Sequence, residues 1–239
     1  IGLGSDAIID ANNNCRIFSI CNCTASLSNL ILINGNAGGA SDRRGGALYV
    51  DGAALTVDNC KFVNNSAGSS TSNGKAIYLK SSTVCIVNSA LLDGENSVEV
   101  DGGVVSLENN WWGNNETNKN SNPKSLGYTN ANVDSYLYLT MSMFARGMDV
   151  GDTASANVML VSKGSSESEI SNLPVTLSAV NGILDNDNIV MMNGLASSVY
   201  TIAASGSNSV TANIFGIENT YTLSSSDVVS TEVIYVNST

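Results

Sequence analysis

The residues of this chain whose types could do chemistry are five cysteines, an acidic loop, one arginine pair and a few aromatics. Cys15, Cys21, Cys23, Cys60 and Cys85 all lie in the first half, and an odd number cannot pair completely within one chain. Cys21-x-Cys23 lacks a second pair and there is no histidine, so buried free thiols are expected rather than a structural zinc site. The missing histidine also removes Ser/His and Cys/His nucleophile–base pairs, and no Gly-rich phosphate loop opens a helix. Asp185-Asn-Asp-Asn188 offers oxygen ligands, which makes Asp185 and Asp187 the metal candidates and calcium the one cofactor they suit. The loop lacks the Gly and distal Glu of an EF-hand, and a solvated turn is the expectation. Asp42-Arg43-Arg44 is the nearest approach to an acid beside a base, but it has no second carboxylate locally, so no catalytic residue is expected. Tyr49, Tyr78 and Trp111 are the ligand-binding candidates, because an aromatic ring on a flat sheet can stack on a sugar.

The elements that must position these groups are β-strands. Only 13% of the 239 residues are charged against 43% hydrophobic, and long stretches are β-branched with just two prolines. Windows rich in Ala, Leu, Glu and Lys, as a long amphipathic helix needs, are missing. The net charge of −11 divides at Asn132 into −3 and −8, which disfavours nucleic acid and contact with anionic membranes. No stretch approaches the roughly 20 apolar residues of a membrane span.

One pattern recurs four times in the first half. Asn29, Asn59, Asn88 and Asn109 each follow an alternating strand: Ala25 and Leu27, Leu55 and Val57, Val84 and Ile86, Val105 and Leu107. Three residues later comes a large apolar side chain, Leu32, Phe62, Leu91 or Trp112, and five residues later Asn34, Asn64, Asp93 or Asn114. A second strand follows in each repeat, with Leu48 and Val50, Ile77 and Leu79, then Val98 and Val100. Repeats that change length while both strands stay in phase predict a parallel solenoid with variable loops, whose asparagines stack amide to amide at a corner. Trp112 is expected to plug the end of that core. The pattern stops there, and a polar loop is expected from Gly113 to Pro123.

From Tyr136 the grammar changes to about seven short strands bounded by turns such as Asn181-Gly182 and Asn193-Gly194, which predicts a β-sandwich. The expected organisation is all-β: residues 1–127 a right-handed parallel β-helix, 128–134 a linker and 135–239 an immunoglobulin-like sandwich.

Ile9-Asp-Ala-Asn-Asn-Asn14 with Arg16-Ile-Phe18, Gly45-Gly-Ala-Leu-Tyr49, Phe62-Val-Asn-Asn-Ser-Ala67 and above all Asn109-Asn-Trp-Trp-Gly-Asn-Asn115 resemble adhesin-like proteins of methanogenic archaea. The Phe-x-x-Asn and Gly-Gly-Ala-Leu elements also resemble repeats of chlamydial polymorphic outer-membrane proteins. In the archaeal family the tryptophan motif ends a β-helix just before an immunoglobulin-like module. Pro174-Val-Thr-Leu-Ser-Ala179 and Asn193-Gly-Leu-Ala-Ser-Ser198 are similar to the immunoglobulin-like spacers of invasin- and intimin-type adhesins. The resemblance implies a non-enzymatic adhesin or stalk at the cell surface, excised from a larger exported protein. Its expected partner is a glycan or protein of another cell, and the segment itself is expected to be a monomer. A pectate-lyase-like enzyme and a purely structural envelope protein are the alternatives. Four sequons, at Asn22, Asn64, Asn115 and Asn237, are glycosylation candidates.

Overall fold

The computed structural model describes residues 6–68, 74–94, 96–119, 128–129, 133, 135–163, 168–224 and 227. Among these the chain is all-β, with no α-helix. The first half contributes β1 (Ala7–Asp10), β2 (Phe18–Cys21), β3 (Thr24–Ser28), β4 (Leu30–Ile33), β5 (Leu48–Asp51) and β6 (Ala54–Asp58). It continues with β7 (Lys61–Val63), β8 (Ile77–Val87), β9 (Ala90–Leu91), β10 (Val98–Ser106), β11 (Asn110–Asn115) and β12 (Tyr128–Thr129). The second half contributes β13 (Tyr136–Ala145), β14 (Thr153–Lys163), β15 (Leu173–Val180) and β16 (Gly182–Leu184). Its remaining strands are β17 (Asn188–Met191), β18 (Leu195–Ile202), β19 (Ser209–Ile214) and β20 (Ile217–Thr222).

Each repeat of the sequence lays one strand onto the equivalent strand of the repeat before it. The series β1, β4, β7, β9 and β11 pairs in parallel, with Ile9 opposite Leu32, Leu32 opposite Phe62 and Phe62 opposite Leu91. A second parallel series runs β2, β5, β8, β10 and β12, and β3 and β6 pair alongside it onto β8. Alternation turns Leu55, Val57, Leu48, Val50, Ile77, Leu79, Val84, Ile86, Val98, Val100 and Leu107 into one buried core, against which Leu27 and Val105 pack.

Residues 113–115, expected as loop, prolong β11, which pairs in parallel with β13. Tyr128-Thr129, within the stretch expected as a linker, pairs in parallel with β10. One nine-stranded sheet therefore runs from β1 through β11 and β13 to β14, β18 and β16, parallel in its first part and antiparallel after β13. A four-stranded antiparallel sheet, β17-β15-β19-β20, shares a second core with that antiparallel part. The strand expected at Val228 to Val236 lies outside the described residues.

The corner asparagines have a backbone reason. Asn29, Asn59, Asn88 and Asn109 have φ of 55°, 48°, 49° and 57°, and Asn34 and Asn64 have 56° and 57°, all in the left-handed region that asparagine tolerates better than other non-glycine residues. The amide-to-amide stack is shorter than expected. Asn59 Nδ2 donates to Asn29 Oδ1 at 2.8 Å, but Asn88 Nδ2 donates to Asp58 Oδ1 at 3.0 Å and Asn109 Oδ1 accepts from the Ser135 hydroxyl at 2.7 Å. A second column links Asn64 to Asn34 and Asn34 to Asp10. Asn110, which the repeat pattern did not single out, does more for the backbone: its fully buried amide accepts from Ser89 N and donates to Ile86 O and Leu107 O.

Asn110→Ala leaves three buried backbone groups without those partners and should cost about 3 kcal/mol or more. Asn29→Gly keeps a residue that accepts the φ of 55° and gives up a single half-buried amide link, so it should stay within about 1 kcal/mol of wild type. Chemical denaturation of the two variants measures both differences.

Candidate functional site

Two places gather the chemistry-bearing side chains: the outer face of the β5-β8-β10 sheet, and the seam where β11 meets the second half. On the outer face, Tyr49 of β5 lies beside Tyr78 of β8, ring centroids 5.5 Å apart and tilted by 41°. The Arg16 guanidinium sits 4.6 Å from the Tyr49 ring and that of Arg44 3.7 Å from the Tyr78 ring, distances at which a cation is attracted to the ring face. Arg16 is fixed in turn by the carbonyl oxygens of Asp42, Arg44 and Gly45, so the loop that carries Asp42 to Arg44 is folded down onto this face.

Arg44 pairs with Asp42 at 2.7 Å and reaches Glu99 of β10 at 3.6 Å. The second carboxylate that the sequence did not place near Arg44 thus arrives from a strand 55 residues away. Burial raises the Glu99 pKa and Arg44 opposes that rise, whereas hydrogen bonding to Arg44 lowers the pKa of Asp42. The Tyr78 hydroxyl donates to Asp101 at 2.6 Å, and burial followed by this bond pushes its pKa up. Lys80 pairs with Asp51 at 2.9 Å. The arrangement is a network in which acids are paired with cations or hydroxyls.

Of the aromatic ligand candidates, Tyr49 keeps part of its ring in solvent. Tyr78 and Trp111 are 0% exposed, and an enclosed ring has no face to offer a ligand. Tyr78 is closed in by Tyr49 and Arg44. Trp111 points to the second core and Trp112, 5% exposed, to the first, because successive side chains of β11 project from opposite faces of the sheet. Trp111 Nε1 donates to Asn114 O at 2.8 Å.

Four of the five cysteines, Cys15, Cys21, Cys23 and Cys85, are exposed, against the expectation of buried thiols. Cys21 and Cys85 occupy outward positions of their strands. Cys60 alone is buried, and its thiol is pushed up to about 11 by loss of water. A neutral groove of 360 Å³ lies over Thr24, Thr56, Thr83, Cys85 and Val104, without a charged side chain in its lining.

Asp185 Oδ1 accepts from Ser198 Oγ at 2.6 Å and from Val199 N at 2.8 Å, bonds that lower its pKa, while Asp187 Oδ1 accepts from Asn188 Nδ2. Among the described residues, no three His, Cys, Asp or Glu side chains come together in a metal-holding group. Asn22 and Asn64 are exposed. The Asn115 amide donates to Glu218 O at 2.9 Å and its oxygen accepts from Thr117, and Asn237 lies outside the described residues.

At the seam, Lys61 of β7 is fully buried, with Asp6, Asn59 and Ser171 around its Nζ. The sequence carried a signal for it. Two residues after each corner asparagine stand Ile31, Lys61, Ala90 and Trp111, an apolar column interrupted by one lysine. Searches of protein families, curated proteins and solved structures return no match for this chain.

Truncating either tryptophan empties a core position, so Trp111→Ala and Trp112→Ala should each cost about 3–5 kcal/mol in thermal or chemical unfolding. The second measurement at this site is a pH profile. Burial raises the Asp93 carboxyl to about 6, while bonds from Asn65 N and Nδ2 hold it down in part. The folded protein then binds a proton that the unfolded chain releases near pH 4, so stability should fall as pH rises from about 4 to about 6. A two-unit rise corresponds to about 3 kcal/mol at most, less the screening that the half-buried side chain allows. Asp93→Asn should flatten the unfolding midpoint across that window.

Proposed function

We propose that this chain is a non-enzymatic structural segment of a cell-surface protein, a stalk or adhesin that presents or mediates attachment to another cell. In this reading residues 1–127 are the last turns of a right-handed parallel β-helix, and residues 135–239 form an immunoglobulin-like sandwich that closes its end. The observation that carries the proposal is the unbroken nine-stranded sheet, with Trp111 and Trp112 anchored in opposite cores where the two halves meet. Hydrogen bonds from Ser171 N to Asn59 Oδ1 and from Asn115 Nδ2 to Glu218 O brace the same seam. A sheet shared in this way transmits load through backbone hydrogen bonds instead of a hinge, as a spacer requires. The paired acids of the outer face support the non-enzymatic reading, since a free base is what a lyase needs. The pectate-lyase-like alternative draws on Arg44, which stands between Asp42 and Glu99.

One experiment set separates these. Incubation with pectin and related polysaccharides should yield no product, and the intact chain screened against whole cells and glycans should bind through Tyr49 where it binds at all. Product formation that is lost in Glu99→Gln or Asp42→Ala would overturn the stalk reading.

A further inference from the structure

We infer that Lys61 and Asp6 condense into an intramolecular amide, an isopeptide crosslink that staples the start of β1 to β7. The side chains are 0% and 1% exposed, they touch through Lys61 Nζ and Asp6 Oδ2, and 55 residues of chain separate them. The surroundings suit the reaction. Asn172 Nδ2 donates to Asp6 Oδ1 at 3.0 Å, polarising the carbonyl on which negative charge gathers when an amine attacks. Asn59 Oδ1 at 3.0 Å and Ser171 O at 2.5 Å hold the nitrogen in place. Burial lowers the Lys61 pKa, with Asp6 opposing, and so favours the uncharged amine that is the nucleophile.

The step balances without an added reagent. One proton passes from the ammonium to Oδ2, which leaves a neutral amine facing a carboxylic acid. The Nζ lone pair attacks Cγ, a second proton moves from nitrogen to the leaving hydroxyl, and the Cγ–Oδ2 bond breaks to release one water. The third ammonium proton remains as the amide N–H, with the Ser171 carbonyl oxygen beside it as acceptor. Holding amine and carboxyl in contact supplies the proximity that a bimolecular condensation lacks, and the closed site keeps bulk water from driving it back. Lys80 with Asp51 and Lys119 with Glu116 are built-in comparisons: their side chains are 32–42% exposed, and such pairs remain ions in water.

The test is the mass of the denatured, reduced wild-type chain. It should be lighter than its sequence by one water, and a digest should yield a branched peptide joining Asp6 to Lys61. Cleavage at Arg43-Arg44 should leave the two pieces held together under denaturing conditions. Lys61→Arg keeps a cation opposite Asp6 but should show full mass and pieces that separate. A cyclised aspartate at Asp51-Gly52, Asp93-Gly94 or Asp101-Gly102 also loses one water, but hydroxylamine cleaves it and no branched peptide forms. Full mass in the wild type, or a lost water that maps to one of those Asp-Gly steps alone, overturns the inference. The wild-type readout does not depend on whether any variant folds.

Discussion

In β11 consecutive side chains point to opposite faces of one sheet, and both faces are covered. Trp112 packs with Leu91, Phe62 and Leu32 on one side, while Trp111 packs with Ala90, Leu137 and Leu139 on the other. Asn110 has its amide spent on backbone groups of the preceding turn, Ser89 N and Ile86 O, and on Leu107 O of its own. A one-residue slip of β11 would exchange the two tryptophans between cores and carry Asn110 off its partners, so register here is held from three directions at once. Tyr136 and Leu137 of β13 repeat the arrangement, the first facing the first core and the second the other.

The parallel turns upstream depend on a different economy. Each needs a sharp bend where one strand gives way to the next, and the bend uses a residue in the left-handed region. Asparagine accepts that backbone and brings an amide that can bond upward or downward along the stack. The amides do not form one continuous ladder. Each bonds to the partner that its corner supplies: Asn59 donates to another asparagine, Asn88 donates to an aspartate, and Asn109 accepts from a serine hydroxyl. Asp6 occupies the same register one turn earlier, opposite Asn29, and there a carboxylate replaces the amide.

Charge is sparse and organised accordingly. Arginines and lysines on the outer face each lie against a tyrosine ring, an acid or both, so the face carries few groups that are not engaged. Lys61 is the exception in kind, an amine in an apolar column and sealed by Ser171 and Asn172 of the second half. As a buried ion it would be costly unless fully partnered, and the partners come from three separated stretches of chain.

The sequence by itself determined the alternation, the repeat, the inward residues and the change of grammar at Tyr136, because period-two patterning and corner chemistry are local. It also marked Lys61 as a break in an apolar column. Tertiary structure decided what lies over each face. Period two says which side chains share a face and is silent on what covers it, so Trp111 and Tyr78 read as binding aromatics, whereas the second core encloses Trp111 and Arg44 lies over Tyr78. The cysteines failed in the opposite sense: four of them stand in solvent although small and apolar by type, Cys21 and Cys85 at outward strand positions that carry no requirement for polarity and Cys15 and Cys23 outside the strands. Glu99 reached Arg44, and Asp6 reached Lys61, through the stacking of turns, a distance in space that separation along the chain does not encode.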